Sequence, residues 1–353
     1  MKGRLRASVM TLTTIIVCLL IPCYIHSVVS AHGDGTKLLK GCGSCHKGHG
    51  AAHTPLLPKR EEDLCYKCHG SDAEINEAIA EGILSPGARR LYIRAEFGKP
   101  FHMPVENTGI HRYDEALPET DPSMPRHAEC TDCHNHHIVS TEEPLSRVSG
   151  VTIGGVFVYQ AQFEYEVCLK CHSESANLPP DERNKIEEFN PSNPSYHPVT
   201  AIGKNNFVPS LIPPLTTSSV IKCTDCHNNN DPSGPRGPHG SIYRGLLLRN
   251  LSRGENPESE SEYALCYGCH SRVSILSDQS FSKHRMHIVD EQASCTICHT
   301  PHGSTVYPKL IEFDPLYVQP NQNGQLGYIS LGPGAGQCYL RCHNAEHNPK
   351  SYP

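Results

Sequence analysis

The sequence predicts a mostly irregular chain with short α-helices and little β, whose core is built around bound groups rather than side chains. Three observations predict this. Apolar residues make up only 37% of 353 residues, which is low for a chain long enough to form two domains. The chain holds 28 Gly and 29 Pro, so turns and loops are plentiful. It also holds 18 Cys and 23 His with no Trp, and most of the cysteines recur in one five-residue pattern.

In chain order, the first element is an export leader over residues 1–31. Lys2, Arg4 and Arg6 form a positive start, Val9 to Tyr24 is mostly apolar, and Val29 and Ala31 are placed like the small residues before a peptidase cut. Cleavage is expected after Ala31. An uncleaved anchor is the alternative, but the apolar run is short for a membrane span of roughly 20 residues and contains Pro22. Cys23 follows Leu-Ile-Pro, which does not suit lipidation. Removal of the leader takes three basic residues and no acidic one, so the formal charge moves from −6 to −9. That argues against a nucleic-acid partner.

Sixteen cysteines follow the leader. Fourteen lie in seven Cys-x-x-Cys-His motifs, starting at Cys42, Cys65, Cys130, Cys168, Cys223, Cys266 and Cys295. Two thiols at this spacing can form thioethers to the vinyl groups of one haem, with the adjacent histidine beneath the iron. Zinc ribbons use paired Cys-x-x-Cys without a histidine after each pair. Thioredoxin-like sites use one such pair, and a disulfide framework gives no reason for the histidines. The last two cysteines, Cys338 and Cys342, are one residue wider apart and precede His343. They read as an eighth haem site with a looped-out residue, with a single-thioether haem or a local disulfide as alternatives.

These motifs come in pairs, and the chain resembles the multihaem c-type cytochromes of the doubled CXXCH motif family. In that family a histidine before a Pro/Val segment precedes the first motif, "PHG" or a similar histidine follows it, and a leucine-rich stretch leads to the second. The resemblance divides the mature chain into dihaem repeats at 32–72, 102–173, 197–271 and 272–353, with linkers at 73–101 and 174–196. It places Cys338 and Cys342 in the second slot of the fourth repeat. Between motifs, "DAEINEAIAE" from Asp72 predicts a helix stopped by Gly82, and residues 151–167 predict a short hairpin around two glycines. Short helices are expected at the motifs themselves.

The proximal candidates are His46, His69, His134, His172, His227, His270, His299 and His343. The thioether candidates are Cys42, Cys45, Cys65, Cys68, Cys130, Cys133, Cys168, Cys171, Cys223, Cys226, Cys266, Cys269, Cys295, Cys298, Cys338 and Cys342. Two further classes of histidine recur with the repeat and supply eight distal candidates. His49, His137, His239 and His302 follow the leading motif; His32, His102, His197 and His287 lie upstream of it. His53 is the natural substitute for His32. His111, His127, His136, His284 and His347 read as spare. Only Met103, Met124 and Met286 remain after the leader, too few to serve eight irons, so ligation should be mostly bis-histidine and the haems of low potential.

Iron with two strong axial ligands exchanges electrons and is closed to substrate. The expectation is therefore an electron carrier with eight haems c, or seven if the Cys338/Cys342 site is empty, and not an enzyme. A multihaem reductase needs an open iron, and no Cys-x-x-Cys-Lys occurs, although one unused distal histidine would create an open site. The resemblance implies redox-protein donors and acceptors, anaerobic respiration or extracellular electron transfer, a membrane-associated respiratory complex, self-assembly into haem filaments, and a periplasmic or outer-surface location.

Overall fold

The computed structural model describes residues 30, 32–53, 56–106, 117, 122–123, 126–140, 142–176, 178–180, 182–343 and 345–352. All of the leader but Ser30 lies outside these residues, as do His111 and Met124. Among the described residues, no helix is long and apolar enough to cross a membrane.

The chain is mostly irregular, punctuated by short elements. A 3₁₀ turn at Gly41–Ser44 precedes α1 (Glu61–His69), α2 (Asp72–Ala80), β1 (Phe101–His102) and α3 (Cys130–Cys133). Then come β2 (Gly150–Val151), β3 (Phe157–Val158), α4 (Glu164–Cys168), α5 (Lys185–Glu188) and β4 (Ser195–Tyr196). After a 3₁₀ turn at Arg94–Gly98 that precedes β1, a third 3₁₀ turn at Cys223–Asp225 leads to β5 (Gly240–Ser241), α6 (Ala264–Tyr267), α7 (Arg272–Leu276), α8 (Cys295–Cys298) and β6 (Gly303–Ser304). Four strands end the chain: β7 (Val318–Gln319), β8 (Gly327–Gly332), β9 (Ala335–Cys342) and β10 (Ala345–Tyr352).

The expected helix is α2. The Ser71 hydroxyl accepts the Glu74 amide, and the Glu74 carboxylate accepts the Ser71 amide at 2.7 Å, a reciprocal cap. Ile75 and Ala78 face inward onto Leu38 and Leu84. Gly82, at φ +68°, follows the helix end, where a left-handed residue closes the last turn. The expected hairpin is β2 paired with β3, Val151 opposite Phe157.

Side-chain packing forms four small clusters among the described residues. Tyr66, Phe97, Val105 and Ala128 make one, and Phe189, Tyr196 and Val199 make another. Three of the four touch a motif cysteine: Cys68, Cys223 or Cys298. The apolar side chains thus fill corners around the motifs.

Two antiparallel strand pairs repeat one junction. β1 pairs with β5, His102 opposite Gly240, and β4 pairs with β6, Tyr196 opposite Gly303. The glycine is required each time. A Cβ at Gly240 would lie 1.9 Å from the Glu96 carbonyl oxygen, and one at Gly303 would lie 1.9 Å from that of Glu188. The "PHGS" segments at 238–241 and 301–304 therefore present a histidine immediately before a strand that only glycine can pack.

No residue pattern predicts the C-terminal sheet. β9 lies at its centre, with β10 along one edge and β8 and β7 along the other. The Gly332–Gly334 turn joins β8 to β9 with both glycines at positive φ.

Candidate functional site

Each of the seven Cys-x-x-Cys-His motifs is wound into a helical or 3₁₀ turn. At six of them the histidine amide donates to the carbonyl of the first cysteine at 2.8–3.0 Å; the seventh, at Cys65, lies inside α1. This turn carries both thiols and the imidazole on one short segment, as attachment to a single porphyrin edge requires. In the two Cys-Thr-Asp-Cys-His motifs the aspartate fixes the turn's start: Asp132 accepts the Glu129 amide and Asp225 the Lys222 amide. The threonine ties the motif to its predecessor. Thr131 donates its amide and hydroxyl to Glu61, and Thr224 donates both to Glu164.

No disulfide joins the sixteen described cysteines. The thiols nevertheless meet across motifs. Cys65 hydrogen-bonds to Cys130, Cys168 to Cys223, and Cys266 to Cys295, and these contacts together with burial push the Cys65, Cys168 and Cys266 thiols up. Weaker charge coupling joins Cys45 to Cys65 and Cys68, Cys133 to Cys168, and Cys226 to Cys269. Successive motifs are therefore neighbours in space in the order of the sequence.

The histidines fit the same group. Two metal–nitrogen bonds of about 2 Å, plus about 1 Å from each nitrogen to its ring centre, set flanking imidazoles about 6 Å apart. His32 and His69 lie 5.9 Å apart, His46 and His137 6.1 Å, His134 and His239 6.0 Å, His227 and His302 6.1 Å, and His284 and His299 6.4 Å. His197 is close enough to His270 to help lower its pKa. Burial is the larger cause there, and it also brings His69, His227, His239 and His284 down to about 4. Metal coordination needs the imidazole neutral.

In many of these rings Nδ1 is occupied by a partner, which leaves Nε2 for a metal and fixes the ring. His134 Nδ1 meets Pro144 O at 2.8 Å, His227 Nδ1 meets Gly245 O at 2.7 Å, His299 Nδ1 meets Lys309 O at 3.1 Å, and His197 Nδ1 meets Pro301 O at 2.5 Å. His302 Nδ1 lies 3.2 Å from Glu188 and His172 Nδ1 3.4 Å from Glu182. Among the described residues, the donor set of the seven motifs fits covalently bound c-type haem.

The ring pairs follow a rule that the sequence did not reveal. The histidine after a leading motif faces the first motif histidine of the preceding repeat: His137 faces His46, His239 faces His134, and His302 faces His227. The leading histidine of the fourth repeat, His299, pairs within its own repeat. It is faced by His284, a histidine that reads as spare in the sequence; its only signal is position, three residues before His287. His49 is exposed and pairs with no described ring. His136 stands 4.1 Å from His137, and with His46 and His137 it forms a three-nitrogen cluster.

The structure differs from expectation at four further places. His287 stacks on Phe281 and borders Tyr352, with Nδ1 bonded to Lys283 O in its own turn. No histidine ring faces His172 among the described residues, and His102 is exposed with Nδ1 on the Met103 carbonyl. His343 occupies a positive-φ position after β9 and turns Nε2 to Glu255 at 3.3 Å. Cys338 and Cys342 lie on β9. Four residues of strand separate their Cα atoms by about 13 Å, too far for one porphyrin edge and beyond the roughly 7 Å limit of a disulfide.

The family model described as the doubled CXXCH motif matches residues 36–74 and 214–274. These segments contain the motif pairs starting at Cys42 and Cys65 and at Cys223 and Cys266. Neither a curated protein nor a solved structure matches the chain.

Proposed function

We propose that this chain, a multihaem c-type cytochrome of the doubled CXXCH motif family, relays electrons through seven haems c arranged in sequence order. The observation that carries the reading is the contact between thiols of successive motifs. Sulfurs that touch bring the edges of the attached porphyrins together, and short edge-to-edge gaps are what electron transfer needs. The bound haems supply the redox chemistry. The chain's own residues fix their spacing through the Thr131–Glu61 and Thr224–Glu164 links and close the irons with paired imidazoles. Mostly bis-histidine ligation keeps the potentials low.

The extended backbone at Cys338 and Cys342, and the outward turn of His343, support seven haems rather than eight. Cys42 and Cys45 are the only exposed cysteines among the described residues, which favours the first haem as a point of exchange with a redox-protein donor or acceptor. Export after cleavage at Ala31, to the periplasm or outer surface, fits haem attachment outside the cytoplasm. Service to a respiratory complex or in haem filaments is compatible with a one-dimensional chain of haems.

Mass spectrometry of the exported protein tests the count and the leader together. The expected mass is that of residues 32–353 plus seven haems. A mass with eight haems overturns the count. A reduced protein in which a substantial share of the haem binds carbon monoxide overturns the conduit and favours a reductase with an open iron.

A further inference from the structure

The two strand junctions allow the repeats to be superposed residue by residue, and the superposition reassigns one ligand. At the β4–β6 junction, His197 donates its amide to His302 O at 2.8 Å, Val199 donates to His197 O at 2.7 Å, and Ile221 donates to Pro198 O at 2.9 Å. At the β1–β5 junction, Met103 donates to His239 O at 3.0 Å, Val105 donates to Met103 O at 2.9 Å, and Ala128 donates to Pro104 O at 3.4 Å. The glycines Gly303 and Gly240 meet equivalent carbonyls, of Glu188 and Glu96. Phe189 packs edge-on against His302 and Phe97 edge-on against His239. Five correspondences agree, so His-Pro-Val at 197–199 superposes on Met-Pro-Val at 103–105.

The residue equivalent to His197 is therefore Met103. His102 corresponds to Tyr196, the residue opposite the glycine in each register. Neighbouring residues of a strand point to opposite faces, so His102 and His197 do not share a direction. His197 lies near both His270 and His299; the His284 ring faces His299 at 6.4 Å, which leaves His197 to the second motif of its repeat, with His270. The second motif of the preceding repeat is the one with His172, whose ring has no facing histidine among the described residues. Met103 is partly buried against the Phe97 cluster, while His102 is exposed.

We infer that Met103, not His102, supplies the sixth ligand of the haem held by His172, making the fourth haem a His/Met centre within a bis-histidine chain. The inference rests on the conduit reading above. A methionine thioether raises the potential of its iron relative to a second histidine. The fourth haem would then be the most easily reduced of the seven, so that an electron rests at the middle of the chain.

The test uses the full exported protein with its haems attached. The oxidised protein should show the methionine-to-iron charge-transfer band at an intensity of one haem in seven, and a redox titration should place one-seventh of the haem above the rest. Met103→His should abolish the band, keep every iron six-coordinate, and move that seventh down among the others. Met103→Leu should open one haem per chain to carbon monoxide, whereas His102→Ala and Met286→Leu should leave band and titration unchanged. If the band is missing from the parent protein and His102→Ala opens one iron, His102 is the ligand and the inference falls. If the parent already binds carbon monoxide at several haems, or carries few haems, the conduit reading itself falls, and the variants need not be made.

Discussion

The motif at Cys295 and the pair at Cys338 use the same residue types in the same order, two cysteines and then a histidine, and they pack on the same cluster. One residue of spacing separates them, and the backbone separates them completely. At Cys295 a helical turn gathers both thiols, the His299 amide closes back on Cys295 O, and Nδ1 is held by Lys309 O. At Cys338 a strand carries the thiols apart on either side of Leu340, and His343 presents Nε2 to a carboxylate. The motif is thus a statement about backbone as much as about residue type. The Cys295 backbone makes the turn, whereas the pairing of β9 with β8 and β10 holds Cys338 to Cys342 extended.

The largest effect that could break this comparison is on haem content. Cys295→Ala with Cys298→Ala should remove one haem from the mass and expose the Ile297 cluster, giving poor yield or a protease-sensitive product. Cys338→Ala with Cys342→Ala should leave seven haems and cost about 1 kcal/mol of stability from lost packing. Loss of a haem in the second variant would mean that β9 reshapes on attachment, and the distinction between the two sites would disappear.

Next in size is the opening of a single iron. His284→Ala should yield one carbon-monoxide-binding haem per chain after reduction. His287→Ala and His343→Ala should yield none, because one ring stacks on Phe281 and the other faces Glu255. A five-coordinate signal from His343→Ala would restore the eighth site.

Much of this was legible in the sequence, and the part that was not has a physical cause. The seven motifs are local: five residues suffice to specify thiols, imidazole and turn. The α2 helix was equally local, with a cap at Ser71 and a stop at Gly82. The ring pairs are not local. The rings of His137, His239 and His302 each face a ring one repeat back, and His284 faces His299, so residue spacing within a repeat could not assign them. The reading of Cys338 and Cys342 as a looped-out motif came from their position in the repeat, whereas strand pairing with residues 327–332 and 345–352 decides their conformation. That pairing depends on partners the motif does not contain.

Glycine substitutions sharpen the comparison at smaller scale. Gly303→Ala would drive a Cβ into the Glu188 carbonyl, which is backbone and has no freedom to retreat. The expected cost is about 1–3 kcal/mol, read as a fall in melting temperature, with partial loss of the low-spin signal as His302 shifts. Gly336→Ala, on β9, meets the ring end of Tyr328 at 2.6 Å. That side chain can rotate away, so the cost there should be under about 1 kcal/mol and the haem spectrum unchanged.

The smallest contrast is electrostatic. In the haem-bearing body, Glu258 takes two hydrogen bonds from Arg272, at 2.8 and 2.5 Å, and one from the Tyr267 hydroxyl at 3.0 Å. The Arg272 guanidinium holds its carboxyl below the usual range, with Tyr267 adding to it. A lowered folded pKa means the carboxylate binds its proton more weakly in the folded state than in the unfolded chain. Its stabilisation is therefore complete above an ordinary glutamate pKa of about 4.3 and is lost as pH falls through the folded value. Glu258→Gln should lower the melting temperature by about 1–2 °C at pH 7, with the difference shrinking as pH falls through the folded value, consistent with a partly screened pair. Glu255 and His343, the latter just after β9, are each about 40% exposed. Glu255→Gln should leave the melting temperature unchanged, because exposed pairs of this kind contribute little. A clear loss of stability from Glu255→Gln would show that His343 is held in place after all, and that the turn after β9 is built for more than closing a hairpin.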